Sequence, residues 1–448
     1  MPLYLMSICL VVLFFSTSAI AQSRFVGSEE CMSCHKAIYE TWRESKHSKA
    51  IQILSPDNDT VISDWEGTVK LKAGKIPEVT IKLSRGPGGT YQATLVDAKD
   101  SYNEMTYTVV RTQGGGWTRG QRYQIKIGNN YFHLPIDWNP ASSTWDPFAL
   151  DWWYNDDGSL KQPPLNRSWA MTCAGCHHTG IELKKVNDGF EITYSELNTG
   201  CEKCHGPGSG HVESSGEKGE IINPSNLPYE REVDVCTQCH SMAASVPNGY
   251  LSYPWNDEDN EPYMIGEPLT DYYRPGGDWV PPGSSDSISL RTEHSLSKSK
   301  HYEAQVTCSD CHNPHGGPAQ SQLIRADFDN DLCLYCHGKD EGFASPASIR
   351  EHTKHSYAPR MKGTSRCMSC HSTNRRQMPI SGTPPSPGAT SSGFLGVIKP
   401  QTSLEMFKSN PKSVFINSCN RCHTDWSGDE AGYKKGVEGY EAKFGKKQ

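Results

Sequence analysis

Eight copies of one pentapeptide carry the clearest chemistry in this chain of 448 residues. Each copy reads Cys-x-x-Cys-His, so that two thiols and one imidazole recur at a fixed spacing. The cysteines are Cys31, Cys34, Cys173, Cys176, Cys201, Cys204, Cys236, Cys239, Cys308, Cys311, Cys333, Cys336, Cys367, Cys370, Cys419 and Cys422. The histidines that close the copies are His35, His177, His205, His240, His312, His337, His371 and His423. The chain has 17 cysteines, and the one outside the copies, Cys9, lies near the amino terminus.

This spacing is typical of covalent haem attachment. Two thiols form thioethers with the vinyl groups of a c-type haem, and the imidazole that follows ligates the iron. A disulfide framework would explain paired cysteines but not a histidine after every second one. Structural zinc would need two cysteine pairs, or separate histidine pairs, for each ion. The sequence therefore predicts eight covalently bound haem c groups and electron-transfer chemistry.

Nine further histidines remain as candidates for the second axial ligand of each iron. Eight low-spin irons need eight distal ligands, and one candidate, His133, lies in a stretch with strand character. We interpret His133 as a hydrogen-bonded strand residue. The predicted distal ligands are His47, His178, His211, His294, His301, His315, His352 and His355.

Spacing prevents three of these ligands from serving their own attachment site. His178 directly follows His177, and adjacent side chains cannot reach opposite faces of one haem, so His178 binds a neighbouring iron or none. The same argument applies to His315, three residues after the histidine of the fifth motif. On a single helix, His35 and His47 would be about 18 Å apart, which is too far to share one iron. We expect these histidines to connect their own attachment site to the haem of another site, which would bring the haems close together.

The long segment between the first two motifs has strand character. β-Branched and aromatic residues alternate there between turn signals, which predicts a small antiparallel β insertion over about residues 64 to 137. The predicted strands are Thr68 to Leu71, Val79 to Leu83, Tyr91 to Val96, Tyr107 to Arg111 and Tyr123 to Ile127. The aromatic stretch from Trp138 to Trp153 is interpreted either as packing over a haem face or as a lid without chemistry.

Composition argues against an ordinary core in the rest of the chain. Only 35% of the residues are hydrophobic, with 40 Gly and 29 Pro, so porphyrins would have to supply much of the apolar bulk. We expect a mainly irregular and α-helical multihaem cytochrome c with little regular structure. Short helices should follow many motifs, the clearest from Cys34 to about Ile53, and Pro379 to Pro400 should be an extended linker. Folding should depend on the haems, so the apoprotein is expected to be largely unfolded.

Motif spacing divides the chain unevenly. The predicted parts are a signal peptide at 1–21, a first haem segment at 22–63, a β-rich insertion at 64–165, haems two to four at 166–241, haems five to seven at 242–378, and a linker with haem eight at 379–448.

Residues 1–21 resemble a secretory leader. An apolar stretch from Leu3 to Phe15 precedes a small-x-small cleavage site at Ala19-Ile20-Ala21, although no Lys or Arg stands at its start. No later segment is long enough to span a membrane. We therefore expect Sec export to the periplasm, the cell surface or the extracellular space, without a transmembrane span.

The charge balance bears on partners. The formal net charge of −7 becomes about −15 with eight oxidised haems and ionised propionates. This charge argues against nucleic-acid partners and favours basic redox proteins. We expect donor and acceptor cytochromes or a quinol-oxidising complex, and self-assembly is an open possibility.

Two segments resemble the cytochrome c-552/c-554 family. They are Cys31-Met-Ser-Cys-His-Lys-Ala-Ile-Tyr-Glu-Thr-Trp-Arg-Glu-Ser-Lys-His47 and Gly200-Cys-Glu-Lys-Cys-His-Gly-Pro-Gly-Ser-Gly-His211. The likeness covers haems one to four, about residues 25 to 241, with the β insertion as an addition. Val306-Thr-Cys-Ser-Asp-Cys-His-Asn-Pro-His315-Gly is similar to the doubled Cys-x-x-Cys-His modules of respiratory cytochromes. The resemblance implies extracytoplasmic electron transfer, a distal role for His315, and haem pairs that are stacked or set at an angle.

Three functions stay open at this point. An electron carrier needs closely spaced and coordinatively saturated haems, and the ligand supply favours saturation. An octahaem oxidoreductase acting on nitrite, hydroxylamine or a sulfur oxyanion needs one open iron with proton donors nearby. Many related nitrite reductases replace one attaching histidine by lysine, and none of the eight motifs does so. A subunit of a cytochrome filament would pass electrons between copies through its first and last haems.

Overall fold

The computed structural model describes residues 23–114, 120–140, 142–186, 189–241, 243–275, 299–317, 322–325, 329–338, 342–360, 364–371, 397, 399–409, 411, 417–420 and 422–445. The predicted leader with Cys9, nearly all of the predicted linker, and His294 lie outside these residues.

The described residues form sixteen strands and thirteen helices. The strands are β1 (Ile51–Ile53), β2 (Gly67–Ala73), β3 (Ile76–Arg85), β4 (Tyr91–Val96), β5 (Glu104–Gly114), β6 (Gln121–Ile127), β7 (Asn130–Asn139), β8 (Thr144–Pro147), β9 (His178–Thr179), β10 (Glu182–Val186), β11 (Gly189–Thr193), β12 (Glu196–Leu197), β13 (Ala243–Ala244), β14 (Trp255–Asn256), β15 (Glu261–Pro262) and β16 (Arg274–Pro275). The helices are α1 (Ser28–Arg43), α2 (Leu150–Trp153), α3 (Trp169–Thr172), α4 (Ala174–His177), α5 (Glu202–His205), α6 (Ser209–Glu213), α7 (Tyr229–His240), α8 (Lys300–Glu303), α9 (Asp331–His337), α10 (Pro346–Thr353), α11 (Cys367–His371), α12 (Pro400–Ser409) and α13 (Glu430–Phe444).

One large antiparallel sheet dominates the amino-terminal half. Strands β2 to β8 pair in chain order, and β1 pairs with the second half of β5. Register shifts interrupt the β2–β3, β5–β6 and β6–β7 pairings. Such bulges bend strands and increase their twist. The sheet curls until β8 lies beside β2, which gives a nearly closed, barrel-like wall.

Aromatic and aliphatic side chains fill the inside of this wall. Trp65 is 1% exposed, and its ring packs edge-on against Tyr123 at 4.5 Å and Trp145 at 5.5 Å between ring centroids. The Trp65 Nε1 donates a hydrogen bond to the Gln92 carbonyl at 2.8 Å. Trp152 and Trp153 belong to the same core. The aromatic stretch that the sequence suggested as a haem cover or lid therefore lines the sheet.

A second apolar cluster connects the sheet to the second motif. It contains Trp169, Ala174 and Tyr253, with Cys173 and Cys176 packed against it. A Cβ added to Gly175 would lie 2.1 Å from the Tyr253 ring, so this motif tolerates no side chain at that position. The close packing fixes the second motif against both the sheet and the following segment.

The expectation of a mainly irregular and α-helical fold with a small β insertion is wrong. The sheet has eight strands and begins at Ile51, before the predicted insertion. All five predicted strands fall inside β2 to β6, but β1, β7 and β8 were not predicted. The prediction failed because it used the hydrophobicity averaged over the whole chain. The sheet segment by itself has enough apolar residues to bury its own core.

The helix predicted from Cys34 to about Ile53 is also different. Helix α1 begins at Ser28 and ends at Arg43, with non-helical backbone angles at His35. Ile51 belongs to β1, and its backbone N–H donates to the Asn198 side chain at 2.6 Å. Tertiary partners of this kind overrode the local helical pattern.

Every helix in the described part of the chain is too short or too polar to cross a membrane.

Candidate functional site

The eight Cys-x-x-Cys-His motifs are numbered here as attachment sites 1 to 8 in chain order. Their cysteines and histidine lie in helical turns, which place positions i, i+3 and i+4 on one face. Helices α4, α5, α7, α9 and α11 end at the motif histidine. The sequence pattern had predicted helices that follow the motifs, whereas these helices contain them. Each turn thus presents two thiols and one imidazole to the same volume.

Thiols from different attachment sites meet in pairs. Four pairs are in hydrogen-bonding contact, and they join site 1 to site 3, site 2 to site 4, site 4 to site 5, and site 6 to site 7. The pairs are Cys31 with Cys201, Cys176 with Cys239, Cys236 with Cys308, and Cys333 with Cys367. Further pairs within electrostatic range are Cys204 with Cys239 and Cys236, Cys311 with Cys336, and Cys370 with Cys419.

These contacts order the sites in space. The electrostatic pairs place site 3 beside site 4, site 5 beside site 6, and site 7 beside site 8. The hydrogen-bonded pairs place site 1 beside site 3, site 4 beside site 5, and site 6 beside site 7. The described cysteines therefore trace one sequence of sites, 1, 3, 4, 5, 6, 7 and 8. Site 2 stands beside this sequence, where it contacts site 4 through Cys239 and site 3 through the hydrogen bond from Lys203 Nζ to the Gly175 carbonyl at 2.6 Å.

Five motif histidines face a second histidine. Each of the five pairs contains one motif histidine and one predicted distal ligand. The distances between ring centroids are 6.3 Å for His35 and His211, 6.4 Å for His240 and His47, 6.1 Å for His205 and His315, 5.7 Å for His337 and His301, and 6.0 Å for His371 and His352.

This spacing fits one metal ion between each pair of rings. A metal–imidazole bond is about 2.0–2.1 Å long, and the ring centre lies about 1 Å further out, so two imidazoles on one metal have centroids about 6 Å apart. The donor set of two thiols and two imidazoles suits a c-type haem with two axial histidines. Among the described residues, no three His, Cys, Asp or Glu side chains cluster as a bound metal ion alone would require.

Hydrogen bonds orient several of these rings. The Nδ1 of His205 lies 2.7 Å from the Ile222 carbonyl, and that of His211 lies 2.9 Å from the Glu217 carbonyl. His47 donates to the Pro314 carbonyl, and the Nδ1 of His355 lies 2.5 Å from the Thr353 carbonyl. An Nδ1–H donated to a carbonyl fixes the tautomer and leaves the Nε2 lone pair for a metal.

The segment after motif 5 connects distant parts of the chain. Pro314 accepts the His47 hydrogen bond, while the adjacent His315 faces His205. Gly316 has a φ of +98°, and a Cβ there would lie 2.8 Å from the Thr41 carbonyl oxygen at the end of α1. This turn therefore brings two candidate ligands to sites 3 and 4 from elsewhere in the sequence.

Burial favours the neutral state of several candidate ligands. It lowers the pKa of His47, His301, His315 and His371 below the usual value for histidine. Neutral imidazole is the form that ligates metals. The environment of these rings therefore favours the ligating state before any metal is considered.

Sites 5 and 8 are less fully described. His423 of site 8 lies within electrostatic range of His355, and its ring stacks on Trp426 at 4.0 Å between centroids. His312 of site 5 lies within electrostatic range of His47.

Site 2 has a different environment. The His177 ring packs against Trp169 at 5.3 Å, and no histidine of the described residues faces it in the way seen at the five pairs. The Nδ1 of His178 lies 3.2 Å from the Ala174 carbonyl. The His178 ring packs against Tyr194 at 4.2 Å, and its Nε2 is buried without a hydrogen-bond partner among the described residues.

His133 lies on β7, and its Nε2 is within hydrogen-bond distance of Gln113 Oε1 and Gln124 Nε2; it donates to the first when protonated and accepts from the second when not. Its carbonyl accepts a hydrogen bond from Trp153 Nε1 at 3.0 Å. The interpretation of His133 as a hydrogen-bonded strand residue agrees with this placement.

Sequence reasoning missed Arg111, which is buried on β5 at 4% exposure beside site 2. The available signal was an arginine within the strand-like run Thr108-Val-Val-Arg111-Thr, because a charged residue inside a strand needs a partner.

Two families of known proteins match parts of this chain. The family described as cytochrome c554 and c-prime matches residues 30–77 and 157–206, and the doubled CXXCH motif family matches residues 301–342. These matches fall on the segments that carried the resemblances in the sequence.

Two curated relatives are 26% identical to the chain. Dissimilatory sulfite reductase MccA of Wolinella succinogenes aligns over 335 residues, 65% of this chain and 42% of that protein. Multiheme cytochrome MtrA of Shewanella baltica (strain OS185) aligns over 190 residues, 39% of this chain and 54% of that protein. The chain thus spans about half or less of the length of these relatives.

A solved structure, that of the outer cell wall cytochrome OcwA, resembles the fold. It has a TM-score of 0.57 and 20% sequence identity, with 93% of this chain and 87% of that chain covered.

Proposed function

Because this chain is a multihaem c-type cytochrome, we propose that it holds eight haem c groups, one at each attachment site, and conducts electrons between partners outside the cytoplasm. The haems would supply irons that change between the ferric and ferrous states. The observation that carries the proposal is the set of thiol contacts between sites, because covalent attachment at neighbouring thiols holds neighbouring haems close together. Tunnelling rates fall steeply with distance, so close spacing is the main requirement of a conducting path.

The proposed axial ligands follow the ring pairs. We assign His211 to site 1, His315 to site 3, His47 to site 4, His301 to site 6 and His352 to site 7. The electrostatic proximity of His355 and His423 supports His355 at site 8. Two predicted ligands remain, and site 5 is the nearest motif in the sequence to the first of them, His294. His178 keeps its sequence-based role as a ligand of a neighbouring iron or of none.

The two ends of the path are the proposed positions at which electrons enter and leave the protein. Cys34 at site 1 and Cys422 at site 8 are exposed, and of the other motif cysteines only Cys336 at site 6 is exposed in the described structure. Electrons would enter at one end and leave at the other, to donor and acceptor cytochromes or a quinol-oxidising complex. We propose Sec export to the periplasm or cell surface, with docking between copies through the same two ends as the form that self-assembly would take.

Conductance across single molecules tests the path. Cysteines introduced at Lys36 and Lys435, both exposed and beside sites 1 and 8, attach the holoprotein between gold contacts. A variant without the site 5 thiols, Cys308→Ala with Cys311→Ala, should lose most of the conductance because site 5 lies in the middle of the path. The matched variant without site 2, Cys173→Ala with Cys176→Ala, should conduct like the parent. Equal losses in both variants would contradict the proposed order of sites, and the spectrum of the seven remaining haems checks that each variant folds.

A second candidate function concerns site 2. Its motif histidine packs on Trp169 rather than on a second histidine, which would leave an open iron position suited to a small substrate. Electron paramagnetic resonance of the oxidised holoprotein tests this reading. One high-spin ferric signal that shifts with nitrite or hydroxylamine supports a reductase, whereas eight low-spin signals support a carrier alone.

A further inference from the structure

Two arginines lie in the part of the sheet nearest to attachment site 2. Arg111 is on β5 and Arg122 is on β6, and each stands at a bulge in the β5–β6 or β6–β7 pairing. Arg111 is within electrostatic range of His178, and Arg122 is within range of His177. Bulges often lie next to functional sites, where they change the direction of a side chain. Here they bring two arginines toward one haem attachment site, and the Arg122 Nε lies 3.6 Å from the Asp137 carboxylate, which offsets the charge of Arg122.

The Arg111 side chain is held firmly but is not fully hydrogen-bonded. Its Nη2 donates to the Tyr194 hydroxyl at 3.2 Å, and its guanidinium lies 3.8 Å from the centre of the Tyr131 ring. The other terminal nitrogen, Nη1, is buried and has no hydrogen-bond partner among the described residues. Burial of a charged donor without a partner costs free energy. We therefore expect a ligand that accepts a hydrogen bond from Arg111 Nη1.

A hydrogen-bond acceptor without a partner, the His178 Nε2, lies within electrostatic range of Arg111. Tyr194 contacts Arg111 through its hydroxyl and packs against the His178 ring, whose centroid is 4.2 Å from that of Tyr194. His178 donates through Nδ1 to Ala174, so its Nε2 is an acceptor. That Nε2 is fully buried and unpartnered within the described structure.

The chemistry of these groups selects the ligand. The positive charge of Arg111 disfavours a cation, and the buried polar atoms without partners disfavour an apolar molecule. Guanidinium groups bind oxyanions and carboxylates through charge-assisted hydrogen bonds. The acceptor at His178 suits an anion that carries a proton or brings one water molecule.

We propose that Arg111, Tyr194 and His178 form a buried site for an oxygen-bearing anion beside attachment site 2. The inference rests on the haem proposed at site 2 and on the second of the two roles left to His178, in which it ligates no iron. Two sources share this chemistry, a free small oxyanion and a propionate of that haem. The site stands off the conducting path, so it adds ligand binding to a chain that would otherwise only carry electrons.

Titration of the oxidised holoprotein tests the site. Nitrite and sulfite are added separately, and the spectrum and paramagnetic resonance of the haems are followed. If the anion is free, one haem responds, and Arg111→Gln weakens the binding by about tenfold or more because one charge-assisted hydrogen bond is lost. Arg111→Lys should bind with intermediate strength. Arg85→Gln is the control, because Arg85 also lies 3.6 Å from a tyrosine ring on the same sheet but is exposed at the end of β3.

A propionate source gives a different result. The parent protein then responds to neither anion, but Arg111→Gln lowers the reduction potential of one haem relative to Arg85→Gln, because a positive charge near that haem is lost. Identical anion affinities and identical potentials in Arg111→Gln and the parent would overturn the proposal. Conductance between sites 1 and 8 should be unchanged in Arg111→Gln, so a failure of the anion site is distinguishable from a failure of the electron path.

Discussion

The sheet region and the carboxy-terminal haem region of this chain are stabilised in different ways. In the sheet region, twenty-one buried hydrophobic residues between Trp65 and Leu160 form one core. Among the described residues from 299 to 445, the buried hydrophobic side chains are those of Ile349 and Tyr433. Attachment sites 5 to 8 lie in that second region.

The difference teaches which part of the molecule needs its cofactors. Burial of apolar surface is the main favourable contribution to folding, and the sheet has enough of it to fold from its own side chains. The region from 299 to 445 lacks such a core and would obtain its apolar bulk from porphyrin. The expectation of a largely unfolded apoprotein is therefore sharpened to a fold that is partly independent of haem.

The largest effect should follow removal of all haems. In chain produced without haem attachment, amides of residues 67–147 should keep strong protection from hydrogen exchange, whereas those of residues 299–445 should exchange at the rates of an unfolded chain. Mass spectrometry of peptides from both regions measures this directly. Equal protection in the two regions, whether high or low, would contradict the expectation that only residues 299–445 need haem to fold.

A core substitution should affect only the sheet. Trp65→Ala removes a side chain that is 1% exposed and should cost about 3–5 kcal/mol of the free energy of unfolding, through lost burial and a cavity. Denaturant unfolding monitored by hydrogen exchange reports the loss, and the haem spectra should stay unchanged. Tyr102→Ala is the control, because Tyr102 is 96% exposed in the turn between β4 and β5. Altered haem spectra in Trp65→Ala would show that the two regions do not fold separately.

Two histidines should give opposite results. His315→Ala removes the proposed ligand at site 3, so one iron should change from low spin to high spin while the sheet keeps its stability. His133→Gln should leave every iron low spin but cost the sheet about 1–3 kcal/mol, because Gln113 and Gln124 lose a buried partner. Paramagnetic resonance and hydrogen exchange on both variants check the pattern. A spin change in His133→Gln would contradict the assignment of the two histidines.

The smallest expected effect concerns the amino-terminal segment. Glu202 is 2% exposed and accepts hydrogen bonds from the backbone N–H groups of Val26, Gly27 and Gly208. Glu202→Gln weakens these charge-assisted bonds and should cost roughly 1–3 kcal/mol locally, seen as faster exchange near residues 23–27.

Glu213→Gln is the matched control, since Glu213 pairs with Arg24 in the same segment while both side chains are more than half exposed. Exposed pairs contribute about 0–1 kcal/mol. Similar effects in the two variants would show that burial does not strengthen the Glu202 contacts.

Several elements were predictable because their signals are local. Alternation of β-branched and aromatic residues placed five strands inside β2 to β6. Strand β1 was missed because its pattern is only Ile51-Gln-Ile53, and its place depends on pairing with residues 111–113 of β5. Strands β7 and β8 were missed because the aromatic stretch that begins at Trp138 suggested a haem cover, although Trp138 and Trp145 are partly buried against the core of the sheet.

The candidate site divides in the same way. The sequence by itself predicted where haem c would attach, because two thiols and an imidazole within five residues form a complete attachment unit on one helical turn. It also predicted that His178 would not serve its own site, since adjacent side chains cannot reach opposite faces of one haem.

Only the tertiary structure decided which histidine faces which site. His47 lies near His240 and His315 lies near His205, across nearly 200 and just over 100 residues of sequence, through the turn at Pro314 and Gly316. The order of sites, with site 2 beside the path and Arg111 close to it, was decided in the same way. Local spacing fixes covalent chemistry, whereas the second axial ligand and the path between irons depend on contacts between residues far apart in the chain.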